Sequence, residues 1–112
     1  MKLSIDWGDF DNKAQQIFQK LWNDQFLSDV TLVTADDKLV RAHKIILSSS
    51  SAFFRNMLSR HPHQNPLIYL KDIKYKYLDW ILEFIYTGQC DVEEQELVQF
   101  LSLGIELRVN GF

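Results

Sequence analysis

The chain has 112 residues, 46% apolar, 24% charged and 13% aromatic, with a formal net charge of −3. That length suits one domain with a single core, and an acid excess argues against holding nucleic acid by phosphate neutralisation, which needs a basic face. The single cysteine, Cys90, excludes an intrachain disulfide and fits a reducing compartment, no apolar run approaches the roughly 18 residues of a membrane span, and no basic start followed by an apolar run marks a signal peptide.

Residues 3–7 (Leu-Ser-Ile-Asp-Trp) alternate apolar and polar, the pattern of a short strand with nothing nearby to pair with. Such an orphan strand must find an edge elsewhere in the fold or in another molecule. Asp9, Asp11 and Asn12 supply capping chemistry for a helix carrying Ala14, Ile17, Phe18, Leu21 and Trp22 on one side. That spacing gives an amphipathic helix of about three turns, whose large residues suit a core or a second subunit.

Val30 to Thr34 and Leu39 to Ala42 read as two strands joined by an Asp36-Asp37-Lys38 turn, with Val40 and Ala42 on one face and Leu39 and Arg41 on the other. Neighbouring strand segments would bring Asp29 and Arg41 near each other. His43 to Leu47 switches to helical spacing, and the run Ser48–Ser51 predicts a helix–helix junction with Ser51 capping Ala52–Leu58.

Ser59 to Pro66 is a loop holding both prolines, Leu67 to Leu70 a short buried strand, and Lys71 to Lys74 a turn. Residues 77–86 are apolar almost all round, which predicts a central buried helix ended by Gly88. Cys90 to Val92 suits another short strand. Glu93, Glu94 and Glu96 read as dipole partners and solvated charge at a helix start, and Leu97, Phe100, Leu101 and Leu107 continue at helical spacing. Gly104 is either a hinge between two short helices or a close packing contact.

Little here supports catalysis. The glycines form neither of the phosphate-cradling loops, the serine run lacks a nucleophile elbow, and His61 and His63 lack a zinc-binding spacing. Cys90 has no cationic neighbour in sequence to make it reactive, and His43 at a strand–helix junction reads as a partly buried ring bonded to backbone. No cofactor, metal or catalytic residue is expected.

Phe26-x-x-Asp29-Val-Thr-Leu32, Val40-Arg-Ala-His-Lys44, Ile46-Leu-Ser48, Ser51-x-Phe-Phe54, Ile68-x-Leu70, Asp72, Leu82-x-Phe-Ile-Tyr-x-Gly88 and Leu97-x-x-Phe-Leu101 stand in an order and spacing that resembles the BTB (POZ) domain, over roughly residues 14–112. Leu3-x-x-x-Trp7-Gly-Asp-Phe10 and Leu107-x-Val-x-Gly-Phe112 resemble the tramtrack type found in insect transcription and chromatin factors, with Asp6 and Gly8 where that type carries Arg and Asn.

The resemblance implies an α+β fold, a helical cluster with a small mixed β-sheet, as one domain over residues 1–112 with a core from residue 12. It implies a strand-exchanged homodimer in which residues 1–10 extend onto the partner. The expected interface comprises Leu3, Ile5, Trp7 and Phe10 with Ile17, Phe18, Leu21 and Trp22 of the first helix. Asp29 and Arg41 match the family's interface charged pair, either neutralising each other at a buried seam or lining a groove for a co-regulator peptide.

The implied function is homodimerisation or higher oligomerisation, with itself, other BTB proteins or co-regulators, within a nuclear transcription or chromatin regulator. DNA contact would come from another domain, often zinc fingers, outside this chain. The alternative is the substrate adaptor of a cullin-based ubiquitin ligase, although Ser59–Pro66 has no acid where adaptors tend to carry an apolar-x-Glu element. A potassium-channel tetramerisation domain would want zinc-ligating Cys and His residues that are missing.

Overall fold

The computed structural model describes residues 1–112 as α1 (Phe10–Asp24), β1 (Val30–Val33), β2 (Leu39–Ala42), α2 (Lys44–Ser50), α3 (Ala52–Arg60), β3 (Leu67–Tyr69), α4 (Tyr75–Thr87), a 3-10 turn (Glu94–Glu96) and α5 (Leu97–Glu106). The α+β class expected from the sequence is the class found. The sheet runs β2-β1-β3, with β1 antiparallel to β2 and parallel to β3. Alternation fixes its faces: Val30, Leu32, Ala42 and Ile68 turn into the core, while Val33, Leu39, Arg41, Leu67 and Tyr69 turn outward. The third strand is therefore buried on one side only, not on both.

The centre of the molecule is α4. Leu78, Ile81, Leu82 and Tyr86 are buried, and the helix ends where Gly88 adopts φ 83° and donates its N–H to the Phe84 carbonyl. Leu32, Leu47 and Phe54 join the same cluster from the sheet and from α2 and α3. Ser51 does more than cap: its Oγ accepts from Phe54 N at 3.2 Å and donates to Leu107 O at 2.6 Å, tying the α2–α3 junction to the end of α5.

Several expectations are corrected. The first helix has 15 residues, longer than expected and starting inside the expected N-terminal extension, and none of the proposed capping side chains bonds its first turn. Its first amides go to Trp7 and Asp9 carbonyls instead. Residues 3–7 form no strand, and neither do Cys90–Val92. A ladder needs a partner edge, and neither segment meets one within the subunit; Cys90 and Val92 are held by apolar contact with the core.

Gly104 is a packing contact and not a hinge, since α5 runs through it uninterrupted. A Cβ there would stand 2.1 Å from the Phe112 ring, which packs against Phe84 and Phe100. The Cα radius of gyration is 15.8 Å. A compact chain of this length would give about 13 Å, so the outline is elongated, 57 × 37 × 24 Å.

Candidate assembly interface

The leading segment leaves its apolar side chains in water. Leu3 is 82% exposed, Ile5 95% and Trp7 57%, and the only aromatic neighbour of Trp7 is Phe10, edge-on at 5.3 Å and itself half exposed. Helix α1 divides its stripe. Leu21 and Trp22 pack against the core, Trp22 meeting the Tyr86 ring at 5.3 Å. Ile17 and Phe18, one turn back, stay about half exposed, and α1 contains no fully buried residue. Of the eight residues singled out from the sequence, Leu3, Ile5, Trp7, Phe10, Ile17 and Phe18 are exposed in the single subunit, and Leu21 and Trp22 pack against the core.

Beside α1 stands a further exposed apolar residue that the sequence does not single out. Ile45, on the first turn of α2, is 75% exposed and lines an open apolar groove of about 500 Å³ with Phe18, Leu21, Ile46 and Ile85. Two apolar residues in succession, Ile45-Ile46, were the available signal: a short helix buries one and leaves the other outside.

Asp29 and Arg41 do not pair within the subunit, where the ion pair is Lys76–Glu96. The Asp29 carboxylate accepts from Lys44 N at 2.7 Å, so it caps α2 from across the fold; α2 has no side-chain cap of its own. Orphan amides at a helix start, reinforced by the dipole, outcompete a solvated guanidinium. Arg41 is exposed, so no buried seam demands neutralisation. Its guanidinium folds over the neighbouring loop and strand, donating to Ser28 O at 2.8 Å, Thr31 Oγ1 at 2.7 Å and Ser28 Oγ at 3.3 Å.

Asp36 repeats the device at the other end of β1. It accepts from Thr34 Oγ1 and from Tyr75 N, the first amide of α4, and those bonds, the hydroxyl's first, hold its carboxyl below the usual range. Two carboxylates flanking one strand thus fix the starts of two helices.

His43 sets where α1 ends relative to the core. Its Nε2 lies 2.6 Å from Phe26 O, its Nδ1 2.8 Å from the Tyr86 hydroxyl, and its backbone N–H donates to that same hydroxyl oxygen. The network is satisfied when Nε2–H donates to the carbonyl and the tyrosine donates to Nδ1, a tautomer assigned from these partners. Burial pushes the Tyr86 hydroxyl up to about 12. The junction histidine is bonded to backbone as expected, and the tyrosine partner was beyond sequence reach.

Elsewhere, Glu96 is more than solvated charge: Lys76 Nζ meets it at 2.7 Å and the Tyr77 hydroxyl donates to it, pinning the 3-10 turn to α4 and lowering its carboxyl. Burial, then Glu83 and Asp91, push the Cys90 thiol up, away from the reactive thiolate. No helix is long and apolar enough to cross a membrane.

The family model described as "BTB/POZ domain" matches residues 18–112. Among Drosophila melanogaster proteins, the chain is 36% identical over 107 residues to "Longitudinals lacking protein-like", covering 96% of this chain and 84% of that one. It is 30% identical over 110 residues to "Protein tramtrack, alpha isoform", covering 98% of this chain and 13% of that one. It is 33% identical over 107 residues to "Broad-complex core protein isoforms 1/2/3/4/5", covering 96% and 15%. The chain thus spans most of the first relative and a small part of the other two.

Proposed function

The chain belongs to the BTB/POZ domain family, whose members are protein-interaction modules and not enzymes, and from that premise we propose that it is the self-assembly domain of a transcription or chromatin regulator. Two copies pair through α1, and each leading strand, residues 3–7, lies on the other's sheet. The observation that carries this reading is the alternating run Leu3, Ile5, Trp7, which is exposed and without a ladder partner in a single subunit, together with the half-exposed Ile17 and Phe18 of α1. Apolar area of this kind contributes about 25 cal/mol per Å² when removed from water. Folding and pairing are then coupled by mass action.

In this reading Asp29 acts on the interface indirectly, by fixing the α2 turn that presents Ile45 to the groove. Nuclear location and DNA contact through a separate segment, of the zinc-finger kind, follow from the family resemblance. The acid excess of this chain supports that division, because phosphate binding needs basic charge. Other BTB domains and co-regulator peptides are the partners such a surface suits.

Sedimentation velocity tests the proposal. At micromolar concentration the chain should run at twice 13.2 kDa or a multiple of that, and removal of residues 1–8 should weaken association while the core stays folded. A monomer of the intact chain sinks the reading, and an unimpaired truncated chain removes the exchanged strand from it.

A further inference from the structure

Strand β3 leaves one edge of the sheet open. Pro66 O accepts from Thr31 N at 3.0 Å and Leu70 N donates to Val33 O at 2.7 Å, so residues 66, 68 and 70 aim their backbone at β1. Alternation then turns the N–H and C=O groups of Leu67 and Tyr69 away from β1, where no strand, helix or turn bonds them. An edge of this kind is a template for one more strand.

Beside that edge runs an open groove of about 360 Å³, lined by Met57 and Leu58 of α3 with His61, His63, Pro66 and Ile68. It is built from none of the residues of α1 or the leading segment. A strand laid along β3 would send alternate side chains to opposite faces. One set would enter the groove, where Met57, Leu58 and Ile68 suit apolar residues. The other would lie beside Leu67 and Tyr69, which are 64% and 55% exposed on the outer face.

Charge selects the partner. Residues 38–71 carry Lys38, Arg41, Lys44, Arg55, Arg60 and Lys71 and no Asp or Glu, so the rest of the chain holds all fifteen acids. Arg60 adjoins His61, and Lys71 stands two residues past Tyr69; both are exposed. Lys44 reaches the same loop, its Nζ donating to His63 O at 2.9 Å. The acids that come near are Asp72, next to Lys71, and Asp29, whose carboxylate is bonded to Lys44 N; Asp36 and Asp37 lie in the turn beyond β1. We infer that this edge takes an extended peptide of another protein as a fourth strand, apolar at alternate positions and carrying carboxylates between them. Main-chain bonds to Leu67 and Tyr69 supply the affinity, and the groove and its cations choose the sequence.

Fluorescence anisotropy on the intact chain, with a labelled short peptide alternating valine and glutamate, tests this. The peptide should bind saturably, and less tightly as salt rises. An analogue with lysine in place of glutamate should bind about tenfold more weakly, and one N-methylated on the amides that face the edge should lose about as much. Tyr69→Pro removes an outward N–H that β1 does not use, and should cost the chain a similar factor. The R60E/K71E variant should weaken the glutamate peptide and tighten the lysine one. Equal binding of the N-methylated peptide would show that no strand is added, and equal binding of the lysine analogue that charge does not select; either overturns the inference, as does a glutamate peptide that fails to bind. Binding that appears only after residues 1–8 are removed would give the edge to a second copy's leading segment and overturn it too. Single chains that bind the peptide would leave this site standing while removing the α1 pairing.

Discussion

Helix α1 carries its apolar residues on one side, α4 carries them almost all round, and the two meet opposite fates. In α4, Leu78, Ile81 and Leu82 are fully buried, and α1, α2 and α5 all pack against it. In α1 no residue is buried, and Ile17 and Phe18 stand half in water although their spacing is as regular. Periodicity reports that a helix has a partner face. It does not report whether the partner belongs to the same chain.

The first way to sharpen that contrast is to damage the self-sufficient side. Phe54 is fully buried on α3, and Phe54→Ala should cost about 3–5 kcal/mol by urea titration. A loss below about 1 kcal/mol would mean that the cluster around α4 does not hold the fold. Gly104→Ala should cost about 1–3 kcal/mol by overpacking, because Phe112 must leave its place between Phe84 and Phe100. In a double-mutant cycle with Phe112→Ala the two losses should not add.

Asp29→Ala should cost about 1 kcal/mol as a lost cap, and Asp29→Asn clearly less. The Asp29–Arg41 coupling should be within about 0.5 kcal/mol of zero; a larger one would restore the charge pair the geometry denies. The smallest effect is on acid stability. Glu96 and Asp36 have lowered pKa values when folded, so each contributes stability that is fully present above its unfolded value, near 4.5 and 3.8, and lost as pH falls through the folded one. Glu96→Gln should flatten the fall in urea midpoint below pH 4.5. An unchanged pH profile would place the lysine–glutamate pair outside the folding balance.

Much of the fold was legible locally. The D-V-T-L and A-H-K runs locate two strands and a helix start, Ser51 caps α3, and Gly88 ends α4, each by chemistry confined to a few neighbours. What escaped depends on long-range geometry. That Asp29 and Asp36 cap helices 15 and 39 positions away follows from where the strand ends lie, and no spacing rule reports it. The same holds for Tyr86 on His43 and for Leu107 on Ser51. Of the proposed interface, Leu3, Ile5, Trp7, Ile17 and Phe18 could be named from their spacing and from the family resemblance, whereas the exposure of Ile45 needed the orientation of a seven-residue helix.

Amide hydrogen exchange at Leu3–Trp7, followed as concentration rises, probes the leading segment directly. If these residues become a strand only on a second copy, their amides should be protected at high concentration and exchange freely on dilution, in step with the loss of mass. Free exchange at every concentration, in a chain that sediments as a pair, would contradict strand exchange and leave α1 as the sole bond between the two copies.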